Sequence, residues 1–94
     1  MPEDSRAHRL GRLRYRSWHR GTREMDLLLG PFADRYLAEL DEAGLDSYER
    51  LLEFPDPQLF AWLTGRTEVP SDADSPALRR VMDYCRNRFE SEPA

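Results

Sequence analysis

The sequence contains no lysine and no isoleucine, only two valines, and a single cysteine, Cys85. Without lysine there is no Schiff-base chemistry and no amine nucleophile. One cysteine cannot close an internal disulfide or build a thiolate zinc cage, so packing alone must hold the chain together, as in a reducing compartment. The scarcity of β-branched residues, with no stretch of period-two alternation, argues against a sheet. No apolar run approaches the roughly 18 residues that a membrane-spanning helix needs. The first residues, Met1-Pro2-Glu3-Asp4-Ser5, carry two acids and lead into no apolar segment, unlike a signal or transit peptide. The five glycines, at 11, 21, 30, 44 and 65, never fall in a phosphate-cradling spacing, which argues against nucleotide hydrolysis. His8 and His19 stand apart in an arginine-rich segment with no HExxH pattern, and read as solvated or partner-facing rather than as metal ligands. Cys85 falls on the apolar stripe of the last helical segment, where a buried inert thiol is expected. Paired acids such as Asp41 and Glu42, or Asp72 and Asp74, lie at turns, where solvation accounts for them.

What is present is 94 residues, enough for one domain and one small core, expected to be ordered over about residues 6–89. All fourteen cations are arginine, and they are unevenly placed. Residues 1–23 hold seven of them against two acids, a net +5; residues 24–94 hold seven against sixteen, a net −9. The two parts face different partners, or each other.

The apolar spacing is helical throughout. A first helix is expected from about Ser5, as N-cap, to Trp18, with Leu10 and Leu13 forming a narrow stripe suited to the edge of the fold. Met25, Leu28, Leu29, Phe32, Tyr36, Leu37 and Leu40 mark a wide buried face on a second. Gly30-Pro31 interrupts it, and a kink or break is expected there because proline removes a donor and crowds the preceding turn. Asp41-Glu42-Ala43-Gly44 marks a turn or a helix start, and Leu45, Tyr48, Leu51 and Leu52 point inward from a third helix expected from about Leu45 to Glu53 and stopped by Phe54-Pro55-Asp56-Pro57. Asp56-Pro57 reads as N-cap and first residue of a short fourth helix, with Leu59, Phe60 and Leu63 inward, Trp62 at the rim and Gly65 closing it. Ser75-Pro76 repeats the signal for a fifth, whose stripe is Leu78, Val81, Met82, Cys85 and Phe89, with a frayed tail after Glu90. The expected fold is all-α, a compact single-domain bundle of about five helices.

The segment from Arg14 to Asp26 combines dense arginine with Tyr15 and Trp18, residue types enriched where proteins bind one another. Gly21 within it is open to three readings: a turn needing unusual dihedrals, an N-cap, or a place where a missing side chain lets another backbone or a flat ligand approach closely. Arg20 and Glu24 would meet as an i, i+4 pair if the helix were continuous. Glu24 and Asp26 would also favour the dipole at a helix N-terminus.

Arg20-Gly21-Thr22-Arg23-Glu24 fits an RGxxE signature, and the block Leu13 to Ala33 around it, Tyr48 to Glu53, and Asp56 to Gly65 extend the match in order and spacing. On these residues the chain resembles the SdhE/Sdh5 family, the succinate dehydrogenase assembly factor 2 proteins. The resemblance implies a five-helix bundle that binds the flavoprotein subunit of succinate dehydrogenase, with the fumarate reductase flavoprotein as a further client. It implies an assembly chaperone, not an enzyme, that promotes covalent attachment of FAD to the client's histidine, the FAD being held by the client and not stably by this chain. By position, Arg20, Gly21 and Glu24 are implied to lie on the partner-binding surface, flanked by Arg23, Asp26 and Arg16. The lack of a transit peptide implies a bacterial, cytoplasmic member. Two other readings remain at this level: an autonomous FAD-binding flavin transferase, opposed by the missing phosphate cradle, and a basic-helix nucleic-acid-binding protein, opposed by the −9 remainder.

Overall fold

The computed structural model describes residues 2–91, with side chains described over residues 6–87. Five helices make up the fold: α1 (Pro2–Trp18), α2 (Arg23–Tyr36), α3 (Glu42–Leu51), α4 (Asp56–Leu63) and α5 (Pro76–Ser91), with a 3₁₀ turn, Leu37–Glu39, extending α2. No strand occurs among the described residues. α1 lies along α2, and α5 packs against α2, α3 and α4, so α5 closes the core.

The buried stripe of α2 is the one its spacing predicts: Met25, Leu28, Leu29, Phe32 and Leu37 are buried, with Tyr36 partly so. Leu45, Tyr48, Leu51 and Leu52 meet it from α3, and Leu78, Val81 and Cys85 from α5. Local chemistry sets several ends. The Asp41 carboxylate accepts from the Gly44 N–H at 2.8 Å and starts α3 three residues earlier than Leu45. Ser75 Oγ accepts from the Leu78 N–H as foreseen, and buried Ser47 reaches across from α3 to take the Ala77 N–H. Gly65, at φ +75°, closes α4 with the paired bonds of a Schellman motif, Gly65 N–H to the Trp62 carbonyl and Arg66 N–H to that of Ala61.

Four expectations are corrected. α1 begins at Pro2, so Ser5 lies inside the helix and is not its cap; proline suits a first turn because its missing N–H has no partner to lose. α2 runs through Gly30-Pro31 as one helix, so of the kink or break expected there the break does not occur. The Trp18 indole lies on Gly30 so closely that a Cβ there would come 2.3 Å from the ring, and the burial of Leu28, Leu29, Phe32 and Ala33 holds the helix through the proline. α1 keeps the narrow stripe and edge position expected of it, packing along α2, and the stripe of Leu13 continues through a polar residue, Ser17. Trp62 is buried edge-on against Phe54, whereas Phe60, expected inward, is half-buried with Arg66 over its ring. Asp56 does not cap α4; Pro55 holds that position and the carboxylate points elsewhere. The side chain of Phe89 and residues 92–94 lie outside the described residues.

Ser17 ties α1 to α3. Its hydroxyl donates to the Leu13 carbonyl at 2.7 Å, so at 2.6 Å the Tyr48 hydroxyl must be the donor and Ser17 Oγ the acceptor. The two substitutions are therefore unequal. Ser17→Ala strands a buried donor and is expected to cost about 1–3 kcal/mol, while Tyr48→Phe leaves Ser17 with its own bond and should cost about 1 kcal/mol or less. Urea denaturation of both variants checks the order, and a costlier Tyr48→Phe would refute the donor assignment. Burial pushes the Tyr48 phenol well above its ordinary value. The folded state thus keeps the proton that the unfolded chain releases, so this contribution is intact below roughly pH 10 and lost as pH rises beyond it. Tyr48→Phe should flatten that alkaline limb.

Candidate functional site

The basic N-terminal part and the acidic remainder face each other. Arg6 reaches Glu42 at 2.8 Å and the Leu40 carbonyl at 2.7 Å; Arg9 fans across Glu42, Asp46 and Glu49, three acids on one face of α3; Arg16 pairs with Glu53 at 2.8 Å. The Asp46 hydrogen bond holds the Arg9 guanidinium above its ordinary value. Long arginine stems let α1 reach α3 by its charges. Arg6, Arg9 and Arg16 thus spend charge on their own chain, which weakens the motive for the nucleic-acid reading.

The fourth internal arginine is Arg20. It stands in the connection of residues 19–22 between α1 and α2, where the chain turns because Thr22 caps α2, its Oγ1 accepting from the Met25 N–H. The Arg20 side chain is only 11% exposed, and each of its three nitrogens has a partner in its own chain. Nε and Nη2 both lie 2.7 Å from Asp56 Oδ1, Nη1 donates to the Leu52 carbonyl at 2.7 Å, and Nη2 also donates to that of Phe54 at 2.8 Å. Leu52 caps the C-terminus of α3, where carbonyls lack helical partners and carry the negative end of the dipole, Phe54 follows in the α3–α4 turn, and Asp56 opens α4, at a positive end. The guanidinium thus sits where two helix termini both favour its arrangement. Its backbone is held too, the Arg20 N–H donating to Asp26 Oδ1 at 2.5 Å.

Gly21 is settled by the same carboxylate. Its N–H donates to Asp56 Oδ2 at 2.7 Å, and a Cβ at this position would stand 2.9 Å from that oxygen. Its φ is not positive, and the cap is Thr22, so close approach is the reading that the structure supports, with Asp56 as the neighbour. The expected Arg20–Glu24 pair does not form, because the helix does not run through residues 19–22 and Arg20 turns to Asp56 instead. Glu24 and Arg23 are exposed on the first turn of α2 and make no ion pair among the described residues. Of the six residues singled out in the sequence, the structure gathers Arg20, Gly21 and Asp26 into one hydrogen-bonded junction, leaves Arg23 and Glu24 outward beside it, and ties Arg16 to Glu53.

Sequence reasoning missed Asp56 as a member of this site. Its place before proline signals a helix start, and nothing local signals that its partners lie 35 and 36 residues away. Shallow recesses flank it. One, of about 260 Å³, is lined by Tyr15, Arg16, His19, Arg20, Gly21 and Asp56; the other, of about 230 Å³, by Thr22, Glu24, Asp56, Pro57 and Phe60. The Tyr15 ring, 64% exposed, stacks on His19 at 4.0 Å between centroids at the rim of the first. No cluster of three or more potential metal ligands, and no helix long and apolar enough to cross a membrane, occurs among the described residues.

A family model described as Sdh5, flavinator of succinate dehydrogenase, matches residues 11–85. An FAD assembly factor SdhE of Acetobacter pasteurianus is 41% identical over 88 residues, covering 94% of this chain and 81% of that protein. A mitochondrial succinate dehydrogenase assembly factor 2 of Dictyostelium discoideum is 41% identical over 76 residues, covering 81% of this chain and 54% of that protein. Another bearing that name, from Debaryomyces hansenii, is 45% identical over 81 residues, covering 86% and 57%. The chain therefore spans about half the length of these mitochondrial relatives.

Proposed function

The chain belongs to the Sdh5 family, succinate dehydrogenase assembly factors, and from that premise we propose that it binds the flavoprotein subunit of succinate dehydrogenase and promotes covalent attachment of FAD to a histidine of that subunit. The fumarate reductase flavoprotein is a second client, and the bacterial cytoplasm the place of action. The observation that carries this reading is the α1–α2 junction: a motif held rigid from within, with Glu24 and Arg23 displayed beside it and unspent on their own chain. A preorganised, charged surface of this kind loses little freedom on docking.

FAD enters as the client's substrate. The recesses beside Asp56, about 230 and 260 Å³, fall below the roughly 300–1,000 Å³ of pockets that enclose drug-sized ligands, and the sequence has no glycine-rich cradle for a pyrophosphate. The missing cradle supports a chaperone over an autonomous flavin transferase. Its contribution is positional: it holds the client's histidine and flavin in reacting geometry, and alignment alone can lower a barrier by several kcal/mol.

The test is covalent flavin on the client, read as in-gel fluorescence after denaturation, in cells lacking this gene and in cells complemented with it. Fluorescence lost on deletion and restored by the wild-type gene is the expected result. Full fluorescence without the gene would overturn the assembly role.

A further inference from the structure

Resting on that reading, we infer that Asp56 is a positioning residue of the docking surface, and that Arg20 acts through Asp56 without touching the client.

The argument is one of donors and acceptors. Nε, Nη1 and Nη2 of Arg20 all have partners in the chain, and its side chain is 11% exposed. A client carboxylate could take the guanidinium fork of Arg20 in a bidentate pair only by displacing Asp56 or a carbonyl of Leu52 or Phe54, which would then be left without a donor. Asp56 itself is 13% exposed and bidentate in the other sense: Oδ1 takes the guanidinium, Oδ2 takes the Gly21 N–H. One carboxylate thereby fixes a side chain and a backbone position that are adjacent in sequence, and Thr22 begins α2 directly after them. The direction in which Glu24 leaves the first turn of α2 follows from that anchorage. It also explains why glycine stands at 21: a side chain there would push on the oxygen that accepts its own N–H.

The motif thus divides its labour. Arg20 and Gly21 engage Asp56 across the α3–α4 turn, and the groups left for the client are Arg23 and Glu24. Asp56→Asn is the sharpest probe, since its amide nitrogen or oxygen can satisfy one of the two contacts but not both: a donor would face the Gly21 N–H or the Arg20 guanidinium. Asp56→Glu keeps the charge and moves it by a methylene, which guards against a failure of the asparagine variant to fold.

Two measurements on the purified full chain decide the matter. In amide nitrogen–proton spectra, the Gly21 and Glu24 signals should move in Asp56→Asn and in Asp56→Glu, with the signals of buried Leu45 and Val81 staying in place. An unmoved Gly21 signal in both variants would overturn the inference whatever the client does. In binding to the purified succinate dehydrogenase flavoprotein subunit, Asp56→Asn and Arg20→Gln should each raise Kd at least tenfold, and the double variant no further than the worse single, because both break one coupled unit. Losses that multiply, to about a hundredfold, would mean that Arg20 meets the client itself and would overturn the inference. Should the wild-type chain fail to bind the subunit, the functional reading falls, while the Gly21 signal still decides whether Asp56 positions the junction.

Discussion

Glu24→Ala is expected to cut covalent flavinylation of the client on the order of 30-fold or more, while the melting temperature stays within a few degrees of wild type. The two halves of that result have separate causes. Glu24 is exposed and makes no ion pair among the described residues, so its removal takes from the fold only its interaction with the α2 dipole, about 0.3–1 kcal/mol, and Asp26 remains in the same turn. At a docking surface the same carboxylate is worth more. A client cation desolvated against it would be left unpaired by the alanine, and losses of about 2 kcal/mol or more, roughly 30-fold in affinity, are the usual cost at such a position. Flavin fluorescence of the client and the thermal transition of the purified variant, measured side by side, check both halves. Asp72→Ala, in the exposed loop before α5, serves as the acidic control that should change neither. Normal fluorescence with Glu24→Ala would remove Glu24 from the docking surface. A melting temperature that collapses would show instead a structural role.

Phe32→Ala should be the most destabilising single truncation in the core. The ring is fully buried and is the hub of an aromatic cluster, with Tyr36 at 5.3 Å and Tyr48 and Tyr84 each at 5.7 Å between centroids. It therefore joins α2 to α3 and α5. Truncating a buried phenylalanine costs about 3–5 kcal/mol, while a chain of this length has roughly 5–14 kcal/mol of stability in all. At about 4–8 °C per kcal/mol for a domain of this size, the melting temperature should fall on the order of 20 °C. Phe32→Leu, which keeps most of the volume, should lose less than half as much. Thermal unfolding followed by circular dichroism reads both. A drop of only a few degrees in the alanine variant would mean that the three tyrosines collapse into the space, and that the cluster is not the joint between these helices.

The expectations that failed share a cause with those that held. Periodicity reports which residues of one helix face the same way, so the buried stripes of α2, α3 and α5 were legible, as was the absence of strands from a chain with two valines and no isoleucine. Capping is equally local: Ser75 and Gly65 were read correctly because their partners lie within a few residues. Ser17 was missed because a polar residue on an apolar stripe is invisible until its acceptor role toward Tyr48, 31 residues away, is seen. Gly30-Pro31 looked like a break because its compensation, the Trp18 ring lying on Gly30, comes from another helix.

The sequence by itself determined that this is a helical chain with one small core, an uneven arginine distribution and an RGxxE stretch between two helices. Only the tertiary structure decided where those arginines go. Four of the seven in residues 1–23 turn inward to acids and carbonyls of α3, the 3₁₀ turn and the α3–α4 connection, and Arg20 chooses Asp56, 36 residues away, over Glu24, four away. A charge has no periodicity and no preferred sequence distance. Its partner is whichever acceptor the packed helices bring within reach, and here the turn from α3 to α4 supplies three acceptors at one point while Glu24 makes no ion pair among the described residues.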